Sequence, residues 1–167
     1  RTAEAIAPCV LMVDEIEKAL AQGGLDGGTS QRVFGGLLTW LQDKRADVFV
    51  VATANDVSKL PPELLRKGRF DEIFAVDLPD REARSEILRI HLEKAGHKFK
   101  KADVAELAQG CQGYTGSELE AAVQAALIEA YHDGARKPTV KDLVQAIQAT
   151  VPLSKTMSEK IEALRAW

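Results

Sequence analysis

Two carboxylates stand directly after a short apolar run near the start of the chain. The run Cys9–Val13 is followed by Asp14 and Glu15. The first carboxylate can hold Mg²⁺, usually through water, since Mg²⁺ keeps much of its hydration shell. The second can take a proton from a water molecule that attacks phosphorus. A strand followed by an acidic helix N-terminus would look the same, so the pair alone leaves both interpretations open.

Two further features of the sequence bear on the choice between a phosphoryl-transfer site and a plain acidic helix start. Asn55 follows a second apolar run, and its neutral amide can orient a water without neutralising Glu15, although an Asx-turn residue is the alternative. Arg66 and Arg69 flank Gly68. A guanidinium suits the charge that develops on a transferred phosphoryl group, and a solvated basic turn is the alternative. The three features in this order predict a phosphoryl-transfer site.

The elements that must position these residues alternate in type over the first 80 residues. Short apolar runs, rich in Val, predict strands buried on both faces, as in a parallel sheet, whose carboxyl ends bind ligands. The pattern predicts an α/β layer. Its strands are Cys9–Val13, Asp47–Thr53 and Phe70–Leu78, and its helices are Ile16–Ala21, Gln31–Gln42 and a short one opened by a turn at Leu60–Leu65.

No strand pattern follows Asp80, and the second half of the chain predicts a helical bundle. Asp80 can cap a helix that ends at Gly96. Three capping boxes then each open an amphipathic run; they begin at Thr115, Thr139 and Thr156. We therefore expect a core segment over 1–80, a helical domain over 81–155 and a terminal helix over 156–167.

The composition excludes several classes of protein. The chain has 167 residues, a net charge of −3 and 46% hydrophobic residues, which is typical of a globular protein and excludes disorder. No apolar stretch is long enough to span a membrane, and the mild acidity gives no direct nucleic-acid signal. Cys9 and Cys111 stand far apart, so we expect plain buried thiols and a reducing, cytoplasmic compartment.

Three motifs carry a resemblance to a known family. Val10–Glu15 matches the Walker B motif, and Ala52–Asn55 with Leu64–Asp71 matches the second region of homology. Tyr114–Leu119 resembles the Gly-Ala-Asp-Leu segment of the lid. The chain thus resembles the classical AAA clade of AAA+ ATPases. Within the clade, the phrase Val13–Lys18 is most similar to the little-characterised AAA proteins of cyanobacteria and plastid genomes.

The resemblance implies roles for the residues of the first half. Asp14 would hold Mg²⁺, Glu15 would activate the hydrolytic water and Asn55 would be sensor 1. Arg66 and Arg69 would be arginine fingers that reach the γ-phosphate in a neighbouring subunit. The implied fold is part of an AAA+ P-loop NTPase core, with its parallel strands 3, 4 and 5, followed by an all-α lid.

The resemblance also implies a nucleotide-facing surface on the lid. Ile87 and His91 match positions near the adenine and ribose, while Gly116 and Ser117 match the segment that approaches the nucleotide. No arginine stands at the sensor 2 position, which is usual for this clade. Gly23–Gly28 falls where the second pore loop lies.

The Walker A sequence Gly-x-x-x-x-Gly-Lys-Ser/Thr is absent from the 167 residues. Gly110–Ser117 is rich in glycine but lacks the lysine, and predicts a loop between helices. We therefore expect a truncated or partial form whose P-loop lies upstream of Arg1, and which is inactive alone. The family's strand order, 5-1-4-3-2, also implies that Phe70–Leu78 lacks its neighbouring strand. A partner or an upstream segment would supply that strand, or its slot would be empty or filled by something else.

The resemblance predicts ATP binding and hydrolysis by an oligomeric AAA+ ATPase that forms a homo-hexameric ring. Its cofactors would be ATP or ADP and Mg²⁺, and hydrolysis would drive remodelling of a protein partner in the cytoplasm or plastid stroma. The alternative is a non-catalytic AAA-like module that binds nucleotide or protein. Glu15, Arg66 and Arg69 argue against it, since a degenerate module would be expected to have lost one of them.

Overall fold

The computed structural model describes residues 2–21 and 29–166. The chain divides into two compact units, Arg1–Phe74 (unit 1) and Ala75–Trp167 (unit 2). Unit 1 combines strands with helices, while every regular element described in unit 2 is helical. The predicted fold class, an α/β segment followed by a helical domain, is therefore confirmed.

Short β-branched runs form the strands of unit 1, since such side chains favour extended backbone. Strand β1 (Cys9–Val13) pairs in parallel with strand β2 (Val48–Ala52), and Val13 lies opposite Ala52. Both strands were predicted, and so were the two longer helices. The helices are α1 (Thr2–Ala5), α2 (Ile16–Ala21) and α3 (Thr29–Asp43), and a 3₁₀ turn covers Val57–Lys59.

The residues that the structure describes cover only one face of this sheet. Ile16, Leu41 and Leu64 are buried there, and Val13 and Val50 pack against them. Side chains alternate between the two faces of a strand. The opposite face is exposed and carries Val10, Met12, Phe49 and Val51. The prediction of strands buried on both faces is therefore wrong for the described part of the chain.

The third predicted strand, Phe70–Leu78, is not formed. The sheet of the described residues contains β1 and β2 alone, and Phe74 and Val76 are more than four-fifths exposed. A strand needs a neighbour for its backbone groups, and none is described at this position. The segment therefore has no strand neighbour among the described residues.

The short helix predicted to open from the turn at Leu60–Leu65 is also absent. The backbone N–H of Leu64 donates to the carbonyl of Pro61, and that of Leu65 donates to Pro62, at 2.9 and 3.2 Å. These bonds span three residues rather than the four of an α-helix. The turn predicted at Leu60–Leu65 is therefore present, but no helix follows it in the described residues before Arg81.

Helix capping organises unit 2. The Asp80 carboxylate accepts from the N–H of Ala83 at 2.8 Å, and complete capping boxes start helices at Thr115 and Thr139, as predicted. Two helices, α5 and α8, were not predicted, and their N-cap residues, Lys100 and Pro152, make no side-chain cap bond. The helices are α4 (Arg81–Lys94), α5 (Lys101–Gly110), α6 (Gly116–His132), α7 (Val140–Ala149), α8 (Leu153–Thr156) and α9 (Ser158–Ala166).

The third predicted capping box, at Thr156, is wrong. Thr156 ends α8, and its hydroxyl donates to the carbonyl of Leu153 at 3.2 Å, while α9 begins at Ser158. Because Thr156 is itself the last residue of α8, it does not stand in the N-cap position of α9.

One hydrophobic cluster holds α4 to α7 together. Arg84 is buried beside it, and its guanidinium donates to the carbonyls of Ala108 and Pro79 at 3.0 and 2.8 Å. The cluster includes Leu88, Leu92, Leu107, Leu119, Val123 and Leu143, each at most 3% exposed. No described helix is long and apolar enough to cross a membrane.

Both cysteines are free thiols. Cys111 is fully buried and donates to the carbonyl of Leu107 at 3.0 Å, and burial raises the pKa of its thiol to about 11. Cys9 is only partly buried and donates to the carbonyl of Ala3 at 3.3 Å. The predicted buried thiol is confirmed for Cys111, whereas Cys9 is half-exposed.

Candidate functional site

Parallel pairing of β1 and β2 brings the candidate site residues of unit 1 to one edge of the sheet. Because Val13 lies opposite Ala52, the residues that follow the two strands are also neighbours. The N–H of Thr53 donates to the carbonyl of Val13 at 3.0 Å, and the N–H of Ile16 donates to the carbonyl of Thr53 at 2.9 Å. These bonds extend the register past the strands and fix the backbone on either side of Glu15.

The structure brings Glu15 and Asn55 into direct contact. The Asn55 amide donates from Nδ2 to Glu15 Oε1 at 2.8 Å. Glu15 has a φ of 49°, in the left-handed region that few non-glycine residues adopt, and its own N–H donates to Thr53 Oγ1 at 3.0 Å. A carboxylate and a neutral amide at the carboxyl edge of a parallel sheet can together hold a water molecule.

Asp14 lies next to this pair and accepts a hydrogen bond from the Thr53 hydroxyl. Among the described residues no group of three or more His, Cys, Asp and Glu side chains could hold a metal. Mg²⁺ does not require such a group, because it binds through one or two carboxylates, waters and substrate phosphates. An exposed aspartate here fits Mg²⁺ held with a nucleotide better than a tightly caged metal.

Three neighbours of this group were missed by the sequence analysis. Thr53 joins Asp14 to the Glu15 backbone. Glu17 is only 4% exposed and accepts the backbone N–H of Asn55 at 3.0 Å through Oε1, while its buried Oε2 has no partner among the described residues. Lys18 was the third. Their only signal in the sequence is their position, since each lies within three residues of a predicted site residue.

Lys18 forms an ion pair with Glu15. Its Nζ lies 2.7 Å from Glu15 Oε2, so each oxygen of the Glu15 carboxylate accepts one donor. The hydrogen bond and the negative charge of Glu15 raise the pKa of Lys18. Lys18 is therefore a fixed cation at neutral pH, in contact with the carboxylate predicted to act as a base.

The two arginines lie in an exposed turn of unit 1. Gly68, between them, has a φ of 91° and allows the chain to reverse. Arg69 donates from Nη1 to the carbonyl of Glu63. Arg66 is exposed and makes no hydrogen bond or ion pair with any residue that the structure describes. Within residues 2–21 and 29–166, no contact occupies the Arg66 guanidinium, which an anion could therefore reach.

In unit 2, the four residues predicted to face a nucleotide lie on two packed helices. Ile87 and His91 are on α4, and Gly116 and Ser117 begin α6. A Cβ on Gly116 would lie 3.8 Å from Ile87 Cδ1, so these two positions are in contact. The His91 Nδ1 lies 3.4 Å from Glu120 Oε1. The predicted second pore loop, Gly23–Gly28, falls outside the described residues.

A cleft of about 220 Å³ adjoins Gly116 within unit 2. Arg165 of α9 pairs with Asp77 at 2.8 and 2.9 Å, and this contact holds one wall. The walls are mainly apolar, and Thr115 supplies a polar edge. The lining consists of Val76, Asp77, Leu78, Pro79, Thr115, Gly116, Ile161 and Leu164.

Comparison with protein-family models matches both units. Residues 1–78 match the family described as ATPase family associated with various cellular activities (AAA). Residues 101–145 match the AAA+ lid domain. The first match corresponds to the expected ATPase core segment, and the second corresponds to the expected lid.

Individual relatives agree with the family models. The uncharacterized AAA domain-containing protein ycf46 of Pyropia yezoensis is 46% identical over 98% of the chain and 34% of the relative. The proteasome-activating nucleotidase of Aeropyrum pernix is 37% identical over 89% of the chain and 37% of the relative. The ATP-dependent zinc metalloprotease FtsH of Thermus thermophilus is 36% identical over 87% and 24%. The chain thus spans between 24% and 37% of the length of these relatives.

Proposed function

Because this chain belongs to the AAA family of ATPases, we propose that it supplies hydrolytic and lid residues to an oligomeric, ATP-hydrolysing ring. The observation that carries the proposal is the contact between Glu15 and Asn55 at the carboxyl edge of the sheet. Residues 1–80 would belong to the ATPase core, 81–155 to the lid and 156–167 to a terminal helix.

In this proposal Glu15 takes the proton of the attacking water, and Asn55 orients that water. Asp14 would hold Mg²⁺, which when bound neutralises charge on the phosphates. The Thr53 hydroxyl hydrogen bond keeps the Asp14 carboxylate at the edge of the sheet, beside Glu15. These roles are consistent with the exposure of Asp14 and the partial exposure of Glu15, since both must reach a ligand.

The other predicted residues would act from the lid and in a neighbouring subunit. Ile87 and His91 would lie near the adenine and ribose of ATP or ADP, and Gly116 and Ser117 would approach the nucleotide. The arginines of the exposed turn would reach a γ-phosphate across a hexamer interface. The free guanidinium of Arg66 supports this assignment, because its position leaves it available to a partner. The ring would remodel a protein partner, in the cytoplasm or the plastid stroma.

The decisive test is Glu15→Gln in the full-length gene product. An amide cannot take the proton, but it retains the shape of the side chain and leaves Asp14 in place. We expect ATP binding to persist and steady-state ATPase activity to fall by about 10²–10⁴-fold. Glu106→Gln, on the exposed side of α5, is the matched control and should retain activity. Wild-type turnover by the Glu15 variant would refute the assignment and favour the non-catalytic module.

Subunit mixing tests the arginines. Arg66→Ala and Arg69→Ala should each reduce turnover, by up to about 10³–10⁵-fold for a finger acting in trans, with little change in nucleotide affinity. Mixing Arg66→Ala subunits with Glu15→Gln subunits should restore some activity, at interfaces that combine an intact base with an intact finger. Mixed rings that show no recovery would exclude a role across the interface.

A further inference from the structure

We propose that Lys18 is a positioning residue for hydrolysis, which together with Asn55 holds the Glu15 carboxylate in one orientation. The inference rests on the proposed function, because it assigns a role relative to the base. Lys18 ends the phrase Val13–Lys18 that carries part of the resemblance, but the resemblance assigns it no role.

The backbone around Glu15 explains why its side chain needs to be held. Glu15 lies between β1 and α2 with a φ of 49°, outside both elements. Its side chain is 35% exposed, so packing does not select a rotamer. A glutamate side chain loses considerable rotamer freedom when it is ordered, and this loss must be offset by specific contacts.

The two donors provide those contacts from different elements, since Asn55 follows β2 and Lys18 lies in the first turn of α2. Asn55 Nδ2 lies 2.8 Å from Oε1, and Lys18 Nζ lies 2.7 Å from Oε2. The backbone N–H of Lys18 also donates to the Glu15 carbonyl at 2.8 Å, which fixes the base of the lysine stem. With one donor on each oxygen, the plane of the carboxylate is defined, and one lone pair of each oxygen remains open to water.

The charges around Lys18 do not compete for it. Asp14 and Glu17 also raise the pKa of Lys18, but their effect is smaller than that of Glu15. No hydrogen bond joins Lys18 Nζ to any other acceptor among the described residues. The lysine is 66% exposed, and exposed ion pairs contribute little to folding. Its loss should therefore affect the orientation of Glu15 far more than the stability of the protein.

A second pair in unit 1 provides a matched control. Lys59 Nζ lies 3.1 Å from Asp56 Oδ2, at the same spacing of three residues and with side-chain exposures of 63% and 39%. The N–H of Lys59 likewise donates to the Asp56 carbonyl, at 3.2 Å. This pair has the geometry of the Lys18 pair but does not contact Glu15.

The experiment measures kcat and KM for ATP in the full-length protein with Lys18→Met, Lys18→Arg and Lys59→Met. Methionine keeps the length and removes the donor, so kcat should fall by about tenfold, since small misplacements of a catalytic group can cost up to about 10²-fold. KM should stay within about twofold. Lys18→Arg should restore kcat to within about threefold of wild type, and Lys59→Met should match wild type.

A double variant separates positioning from other effects. If Lys18 acts through Glu15, adding Lys18→Met to Glu15→Gln should cause no further loss, because effects within one catalytic unit are not additive. An unchanged kcat in Lys18→Met, failure of Lys18→Arg to restore it, or additive losses in the double variant would each overturn the inference. If wild type hydrolyses no ATP, or Glu15→Gln equals wild type, the proposed function itself fails and the inference fails with it.

Discussion

The two units differ in what holds their important residues in place. In unit 2, buried leucines from four helices form one cluster around Leu88, Leu119 and Leu143. In unit 1, the cluster around Ile16 covers one face of a two-stranded sheet, and the other face is exposed. The candidate site residues of unit 1 are held by hydrogen bonds instead, above all by the bond between Asn55 and Glu15. Substitutions should therefore affect mainly stability in unit 2 and mainly activity in unit 1.

The largest effect on stability is expected in the core of unit 2. Leu119→Ala removes a side chain with no exposed surface and should lower the free energy of unfolding by about 2–5 kcal/mol. Ile128→Ala, on the same helix but 57% exposed, should change it by less than about 0.5 kcal/mol. Urea unfolding of the two variants checks the contrast, which equal losses would contradict.

Acid should weaken unit 2 through Asp142. Two hydrogen bonds from Arg136, at 2.7 and 2.8 Å, and those from Thr139 hold the pKa of Asp142 far below its usual range. A depressed folded-state pKa stabilises the protein above the unfolded-state pKa, near 4. This stabilisation should be lost progressively as the pH falls below about 4. Asp142→Asn should flatten that part of the curve of thermal midpoint against pH; identical curves would refute the assignment.

A smaller loss distinguishes a formed capping box from one present only in the sequence. Thr139→Ala removes the hydroxyl that accepts the N–H of Asp142, and it should cost about 1 kcal/mol. Thr156→Ala should cost less, since its hydroxyl caps no helix. Hydrogen exchange in α7 and α9 measures the two effects locally. Equal losses of protection in the two helices would show that both boxes form in solution.

The smallest effect is expected on the exposed sheet face of unit 1. Phe49 is 69% exposed, so Phe49→Thr in the 167-residue chain should change the free energy of unfolding by less than about 0.5 kcal/mol. Val48→Ala, at the adjacent buried position, should cost more, and the difference should appear in the urea midpoint. A loss above about 1 kcal/mol for Phe49→Thr would mean that this face is covered in solution.

Local signals predicted most of the elements. The capping boxes at Thr115 and Thr139 were readable because donor and acceptor lie three residues apart in the chain. The same reasoning was wrong for Thr156, because this residue ends the short helix α8 and α9 begins only at Ser158. Helix α5 was missed since Lys100 gives no capping signal, and its stability comes from burial of Val104 and Leu107.

The sequence predicted the juxtaposition in the candidate site but not all its members. The positions of Asp14, Glu15 and Asn55 after two apolar runs were sufficient to place them at one sheet edge. Thr53 and Lys18 could not be assigned, because a threonine after a strand and a lysine in a first helical turn are common. Which of them contacts a carboxylate depends on strand register and on the turn at Glu15.

The sequence by itself determined the order of elements, the helix starts with local caps, and the residues whose chemistry suits phosphoryl transfer. These features depend on residues only a few positions apart in the chain, so they can be recognised without the tertiary structure. Only the tertiary structure decided that, within the described part of the chain, Phe70–Leu78 pairs with no strand and one sheet face is exposed. It also decided that Lys18 and Asn55 share the Glu15 carboxylate. Each of these depends on a neighbour distant in the chain, or on a backbone angle that local propensity does not specify.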